Sequence, residues 1–159
     1  PTVKHGGGSV IVWGCFGNNR VGDLIQIDGI LNKEGYLKIL EKNFLPSGRR
    51  LIGNGYVYEE DNDPKHTSKL CRDFFKEKER RRALNFMTWP PQSPDLNTIE
   101  LLWEELDRKV LKRYPTSKSH LWEILQESWK TTGTQTLENL TARLPRLCKS
   151  VIRAKGGYF

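Results

Sequence analysis

Two polar stretches of this sequence carry the side chains best suited to metal-dependent chemistry. The first covers residues 59–68 (EEDNDPKHTS) and the second covers residues 89–100 (WPPQSPDLNTIE). Each lies at the end of a predicted element, where carboxylates from a strand end and from the start of a later helix can converge on one point. Hard divalent cations acquire oxygen ligands in this way. A two-metal site for phosphoryl transfer requires such convergence.

Some acidic residues in these stretches also have a structural explanation. Asp63 precedes a proline and is typical of a helix N-cap. Glu100 follows Asn97 at the spacing of a capping box, in which the glutamate occupies the third helical position. Asp61 lies on the strand side of the predicted cap, where it has poor β propensity and no capping role. A role as a ligand therefore explains Asp61 better than a structural role does.

The first third of the chain predicts two strands and a helix. Residues 9–16 form a β-branched and aromatic run, and residues 23–28 form a second strand after a turn at residues 17–19. Asn32 is placed to cap a helix with apolar residues at helical spacing. Pro46 and Gly48 are expected to stop that helix.

The next segment predicts a strand, a helix and a short strand in that order. The first strand covers residues 56–60, and the helix begins at Pro64, with Asp63 as its cap, and continues toward Glu79. A run of three arginines at residues 80–82 ends the helix. A short strand follows at residues 83–87, and the proline-rich stretch after it is incompatible with a helix or a central strand.

The last part of the chain predicts helices alone. Two apolar stripes at helical spacing cover residues 99–110 and 121–129, with a break at Tyr114 and Pro115. A final helix begins near Thr136 and is expected to be kinked or interrupted at Pro145. Strands and helices mixed first, with helices alone at the end, predict an α/β fold with a helical C-terminal flank.

Composition predicts one domain with an anionic partner. The chain has 159 residues, 26 basic and 19 acidic side chains, and a net charge of +7. One core of sizeable volume fits this length, and the positive charge favours a partner such as nucleic acid. Three scattered cysteines fit neither a disulfide framework nor a zinc site and are expected to be free thiols. No segment has the apolar length of a membrane span, so we expect a soluble, intracellular protein with no membrane partner.

Motifs across essentially the whole chain resemble the catalytic domain of Tc1/mariner-type DNA transposases. They are residues 6–10 with 12–14 (GGGSV, VWG), 27–29 (IDG), 61–68 (DNDPKHTS), 89–90 (WP), 92–97 (QSPDLN), 99–100 (IE) and 102–103 (LW). The pair Glu59 and Glu60 stands where glutamines are usual in that family, and Thr98 stands where a proline is usual.

The resemblance implies a ribonuclease-H-like fold with a mixed sheet flanked by helices, and a DDE site. In such a site three carboxylates hold two Mg²⁺ or Mn²⁺ ions; one ion activates water or a DNA 3′-hydroxyl and the other stabilises the leaving oxygen. By the motif match, Asp61 takes the place of the second catalytic aspartate and Glu100 that of the glutamate. Both are therefore expected to be catalytic residues and metal ligands. We also expect them to approach within the span of one ion, while Asp63 faces its own helix N-terminus.

Two parts of the family pattern find no match within residues 1–159, which we expect to be a partial catalytic domain. They are the strand that carries the first catalytic aspartate and the N-terminal paired helix-turn-helix region. With two of three carboxylates, we expect no strand cleavage by this chain alone. The missing strand pairs in the family with the strand that ends at the second aspartate, so residues 56–60 are expected to have one open side.

The resemblance also implies DNA as the partner, both transposon ends and target, together with a nuclear location and a possible homodimer. Candidate DNA-binding residues are Lys65, His66, Arg143, Arg146 and Lys149. The last three belong to a C-terminal stretch, residues 139–159, that is rich in basic residues and would suit a phosphate-tracking surface. A solvated basic helix face is an equal alternative for them, and a helix surface is the commoner role for a histidine such as His66.

Three functions remain open on these grounds. The first is the catalytic portion of a cut-and-paste transposase, which cleaves DNA and transfers strands in a metal-dependent reaction. The second is a catalytically inactive, transposase-derived remnant that binds DNA or a protein partner. The third is a degenerate sequence with no selected role.

Overall fold

The structure is a computed structural model that describes residues 2–5, 8–60, 63, 66–87 and 96–154. Its strands are β1 (Thr2–His5), β2 (Gly8–Gly17), β3 (Arg20–Ile27), β4 (Tyr56–Tyr58) and β5 (Leu84–Phe86). Its helices are α1 (Lys33–Ile39), α2 (Leu45–Leu51), α3 (Lys69–Arg80), α4 (Thr98–Leu111), α5 (Lys118–Lys130) and α6 (Thr134–Arg153). The predicted order, mixed elements first and helices alone at the end, is confirmed.

Strands β1, β2 and β3 form an antiparallel sheet in chain order. The turn between β2 and β3 consists of Asn18 and Asn19, whose φ angles are 48° and 55°. Positive φ at both central residues is the signature of a type I′ turn, which asparagine tolerates and which matches the twist of a hairpin. The two strands predicted at residues 9–16 and 23–28 are therefore confirmed, each with slightly different ends.

The predicted stop at Pro46 and Gly48 is wrong. A π-helical turn, Leu40–Phe44, joins α1 directly to α2, and Pro46 lies at the start of α2. Proline is tolerated in a first helical turn, and the widened turn before it already departs from the regular hydrogen-bond pattern. Asn32 caps α1 as predicted, since its side chain accepts a hydrogen bond from the Gly35 N–H at 2.8 Å.

Strands β4 and β5 form a separate parallel pair connected by α3. Both strands were predicted, but they are shorter than expected, and residues 59–60 lie beyond the end of β4. On its other side β4 has no strand partner among the described residues, and Val57 in its centre is 61% exposed. The open side expected for that strand stays a prediction.

The start predicted for α3 is wrong. The helix begins at Lys69 and is capped by Ser68, whose hydroxyl accepts from the Cys71 N–H at 3.4 Å. Asp63 lies before this cap, and its backbone carbonyl accepts from the N–H groups of His66 and Thr67 in a turn. Asp63 is therefore not the N-cap of the helix. The end at the arginine run is confirmed.

The three C-terminal helices pack against the antiparallel sheet. The break around Tyr114 and Pro115 is confirmed, whereas α6 continues through Pro145 without interruption. The indoles of Trp103 and Trp129 stack at 5.3 Å, and a side chain at Gly14 would collide with both. The Trp129 N–H also donates to the Gly22 carbonyl at 2.9 Å, which ties α5 to β3.

Besides the apolar contacts between the antiparallel sheet and the C-terminal helices, the protein has a second core, rich in aromatic residues, between α1, α3 and the β4–β5 pair. Its buried members are Tyr36, Leu40, Phe44, Tyr56, Cys71, Phe75 and Leu84. This core fixes the position of the end of β4, where the first polar stretch begins. All three cysteines are free, as predicted. No helix within the described residues combines the length and the apolar character needed to cross a membrane.

Candidate functional site

The structure places parts of both polar stretches around one cavity of about 830 Å³. Residues that line it after β4 are Glu59, Glu60, Asp63 and His66, and residues that line it at the start of α4 are Asn97, Thr98, Ile99 and Glu100. The end of a strand and the beginning of a later helix thus share one cavity. This is the arrangement in which carboxylates from distant parts of a chain can act on one ligand.

Asp61 and Lys65 lie outside the described residues, and so does the stretch 88–95. The close approach of Asp61 to Glu100 therefore stays a prediction. Its described neighbours bracket it, because Glu60 precedes it and Asp63 follows it, and both line the cavity that contains Glu100.

Glu100 belongs to the first turn of α4 and is exposed. Asn97 caps this helix as predicted, because its side-chain oxygen accepts from the Ile99 N–H at 3.4 Å. A carboxylate in the first turn of a helix is stabilised by the partial positive charge of the helix N-terminus. The Asn97 side-chain cap thus fixes the first helical turn, which places Glu100 at the cavity.

The two glutamates that precede Asp61 differ in their surroundings. Glu60 is 9% exposed, and its Oε2 atom accepts hydrogen bonds from the hydroxyls of Tyr36 at 2.6 Å and Tyr58 at 2.8 Å. In Glu59 the buried Oε1 atom has no hydrogen-bond partner among the described residues. Burial raises the pKa of Glu59 from 4.5 to about 7. Two hydroxyls thus hold the Glu60 carboxyl, whereas one oxygen of Glu59 is buried without a partner among the described residues.

Tyr36 and Tyr58 are part of the site although no pattern in the sequence singles them out for it. Both are in the aromatic core, and burial raises the pKa values of both well above 10. The second cause is the negative charge of Glu60 for Tyr36 and the neighbouring Tyr36 for Tyr58. They therefore act as hydrogen-bond donors. The helical spacing of Tyr36 indicates only a core position, and no sequence signal indicates the partner of its hydroxyl.

His66 lies in the turn before α3, with its ring stacked on Tyr36 at a centroid distance of 4.1 Å and an angle of 21°. Its backbone N–H donates to the Asp63 carbonyl at 2.9 Å. The histidine is half-buried and lines the cavity.

The basic residues Arg143, Arg146 and Lys149 lie on α6, and all three are exposed. Two other residues of this helix, Thr141 and Leu144, line the cavity. The basic helix therefore passes beside the cavity.

The donor set suits a hard divalent cation in its chemistry. Glu59, Glu60, Asp63 and Glu100 all line the cavity and offer carboxylate oxygens, which are the ligands that Mg²⁺ and Mn²⁺ prefer. The unpartnered Oε1 atom of Glu59 indicates that carboxylate capacity remains unused at this wall, within the part of the chain that the structure describes. Within the described ranges, however, no three His, Cys, Asp or Glu side chains are grouped closely enough to hold a metal. The described residues alone therefore do not form a complete metal site.

Comparisons with known proteins agree with this arrangement. The profile of a family described as DDE superfamily endonuclease matches residues 55–122, which contain both sides of the cavity. The chain is 44% identical over 156 residues to the Tcb1 transposase of a transposable element from Caenorhabditis briggsae, a match that covers 98% of this chain and 56% of that protein. It is 42% identical over 156 residues to the Tc1 transposase of Caenorhabditis elegans, covering 98% and 56%. The chain thus spans about half the length of the curated relatives it matches.

The fold has a counterpart among solved structures. The catalytic domain of Mos1 transposase, solved with raltegravir and Mg, superposes with a TM-score of 0.77 at 15% identity, covering 100% of this chain and 82% of that chain. The ribonuclease-H-like fold predicted from the sequence is confirmed by this match.

Proposed function

Because this chain belongs to the Tc1/mariner family of DDE transposases, we propose that it is the catalytic portion of a cut-and-paste DNA transposase. Its reaction is metal-dependent cleavage of DNA strands and their transfer to a target. The observation that carries the proposal is the cavity that the residues on both sides of Asp61 share with Glu100. We further propose transposon ends and target DNA as partners and the nucleus as the location.

In this proposal Asp61 and Glu100 would hold Mg²⁺ or Mn²⁺, with two ions in a complete site. When bound, such ions would supply activation of the attacking oxygen and stabilisation of the leaving oxygen of the phosphodiester. The chain itself supplies position: the Asn97 cap fixes the first turn of α4 and hence Glu100, and the dipole of that helix stabilises negative charge there. The core behind β4 fixes the start of the segment that carries Asp61.

Basic residues of α6 support DNA as the partner. Arg143, Arg146 and Lys149 lie on the helix whose Thr141 and Leu144 line the cavity. Phosphate contacts of this kind give affinity without sequence preference. We therefore propose that these side chains hold the DNA backbone beside the carboxylates.

The metal part is tested by adding Mn²⁺ to the labelled chain and recording paramagnetic broadening of backbone amide signals by NMR. We expect broadening at Thr98, Glu100 and His66, which line the cavity. The Asp61→Asn and Glu100→Gln variants should lose it. Glu104→Gln, which makes the same change at an exposed position of α4, should keep it. Broadening that survives both site substitutions, or no broadening in the unchanged chain, would refute the proposal.

The DNA part is tested by fluorescence anisotropy with duplex DNA over a range of salt concentrations. Changing Arg143, Arg146 and Lys149 together to glutamine should weaken binding and lower the slope of log affinity against log salt by about 0.9 for each phosphate that is no longer neutralised. A matched control changes exposed basic residues outside α6, Lys112, Arg113 and Lys118. An equal effect of both sets would show non-specific attraction to a basic protein. DNA binding without Mn²⁺ binding would favour the inactive remnant.

A further inference from the structure

Tyr36 contacts both sides of the segment that contains Asp61. Its hydroxyl donates to Glu60, the residue before Asp61, at 2.6 Å, and its ring stacks on His66, beyond Asp61, at 4.1 Å. Tyr36 is 0% exposed and belongs to α1, an element far away in sequence. One buried side chain thus joins α1 to residues on both sides of the proposed metal ligand.

The hydroxyl of Tyr36 is not needed to fill the core. Phenylalanine would occupy nearly the same volume, so packing alone does not require the oxygen atom. The oxygen instead takes part in a triad of polar groups with Tyr58 and Glu60, in which the two hydroxyls lie 3.1 Å apart and share the Oε2 acceptor. Burying a carboxyl group is costly unless hydrogen bonds compensate for lost water. The triad therefore holds the Glu60 carboxyl in one place.

The two contacts restrain different degrees of freedom. The hydrogen bonds from Tyr36 and Tyr58 fix where the Glu60 side chain lies, whereas the stack fixes the plane of the His66 ring. The backbone N–H groups of His66 and Thr67 donate to the Asp63 carbonyl at 2.9 and 3.0 Å, so the position of the ring is linked to that of the turn.

We propose that Tyr36 is a positioning residue for the segment 60–66, acting through Glu60 and His66 rather than by contact with the metal or DNA. It restrains Glu60 and His66, the described residues on either side of Asp61, and if Asp61 and Glu100 share a divalent cation, this restraint should raise the affinity for that cation. The part that concerns the cation rests on the proposed function. The restraint on the segment does not, and it is measurable in the chain without metal.

The restraint is tested by amide hydrogen exchange resolved by residue. Tyr36→Phe removes the hydroxyl and keeps a ring, and Tyr36→Leu removes both contacts. We expect exchange at His66 and Thr67 to become faster in the order wild type, Tyr36→Phe, Tyr36→Leu, by about tenfold in the last. The Arg72 amide, which donates to the Ser68 carbonyl at the start of α3, should be unchanged and serves as the internal reference. Equal acceleration at all three amides, or at none, overturns the restraint.

The positioning role is tested by Mn²⁺ affinity. Loss of a group that orients a metal ligand typically lowers affinity by about 10–100-fold, and we expect a drop of about tenfold in Tyr36→Phe, at the low end of that range. The same substitution should have no further effect in a Glu60→Ala background, because the hydroxyl of Tyr36 acts through Glu60. Tyr114→Phe, at a tyrosine that is 82% exposed, is the control.

The outcomes separate the two proposals. A wild-type chain that binds Mn²⁺ with an affinity unaffected by Tyr36→Phe would overturn the positioning role and leave the proposed function intact. A wild-type chain that does not bind Mn²⁺ would refute the proposed function, and hydrogen exchange alone would then decide whether Tyr36 restrains the segment.

Discussion

Gly48 leaves room for the ring of Tyr56, so a methyl group at this position should destabilise the protein. A Cβ atom built on Gly48 would overlap the Cζ and hydroxyl oxygen atoms of Tyr56. Tyr56 is the first residue of β4, is 6% exposed, and packs edge-on against Phe44 at 5.8 Å. Its ring therefore lies between Gly48 and Phe44. The contact matters for the site because it packs α2 against β4, the strand that leads to the acidic segment.

The expected size of the effect follows from two opposing contributions. Overpacking a buried contact typically costs about 1–3 kcal/mol, and replacing glycine by alanine inside a helix gains about 1 kcal/mol. Because the built Cβ overlaps the Tyr56 ring severely, we take the upper end of the overpacking cost, about 3 kcal/mol. With the gain of about 1 kcal/mol subtracted, Gly48→Ala should lower the free energy of unfolding by about 2 kcal/mol, or the Tm by roughly 4–8 °C for a chain of this size. Urea denaturation followed by tryptophan fluorescence measures the change.

The steric explanation predicts that the effect of Gly48→Ala on the free energy of unfolding disappears or changes sign when the Tyr56 ring is removed. In a Tyr56→Leu background the ring is absent, so the same Gly48→Ala substitution should be neutral or should stabilise by about 1 kcal/mol. The Tyr56→Leu chain alone is the reference for that comparison. A similar cost of Gly48→Ala in both backgrounds would refute the steric explanation and point to the helix backbone instead.

Two further predictions concern pH and hydrogen exchange. Burial opposes ionisation of Asp23, but the hydrogen bond from Arg50 at 2.8 Å, together with that from Asn43, outweighs it and keeps the pKa of Asp23 below 3.8. A carboxyl whose folded pKa is lowered stabilises the fold above its unfolded pKa, and this contribution is lost as the pH falls through the folded pKa. Asp23→Asn should therefore cost about 0.2–1 kcal/mol at pH 7, the range typical of exposed ion pairs. The difference from the unchanged chain should shrink as the pH falls from 3.8 through the lowered pKa of Asp23, in acid titrations followed by fluorescence. The Tyr58 carbonyl accepts from the Met87 N–H, so by strand alternation the Val57 N–H points to the open side of β4. Val57 should therefore exchange faster than Tyr58, and strong protection of both in a monomer would show that another strand fills that side.

Local patterns predicted the C-terminal helices well. The apolar stripes of α4 and α5 come from residues close in sequence, and their breaks at Tyr114 and Pro115 depend on backbone chemistry alone. Of the two effects expected at Pro145, a kink or an interruption, the interruption does not occur, because α6 continues through this residue.

Element ends that depend on tertiary contacts were predicted less well. Asp63 and Ser68 are both good capping residues, and nothing local decides between them. Pro46 was expected to stop a helix, but the π-helical turn before it lets the helix continue toward Tyr56, which packs on Gly48. The pattern of residue types therefore did not determine either of these helix ends.

The acidic site shows the same division between local pattern and tertiary contact. Glu59 and Glu60 are identical neighbours in sequence, yet two tyrosine hydroxyls satisfy Glu60, while one oxygen of Glu59 is buried without a partner among the described residues. A core optimised for stability alone would satisfy both groups or replace them with apolar ones. Because Glu59, Glu60 and Glu100 line one cavity, the unsatisfied oxygen lies in the wall of the cavity where the proposed function places the metal. The departure from good packing therefore points to the same place as the family motifs do.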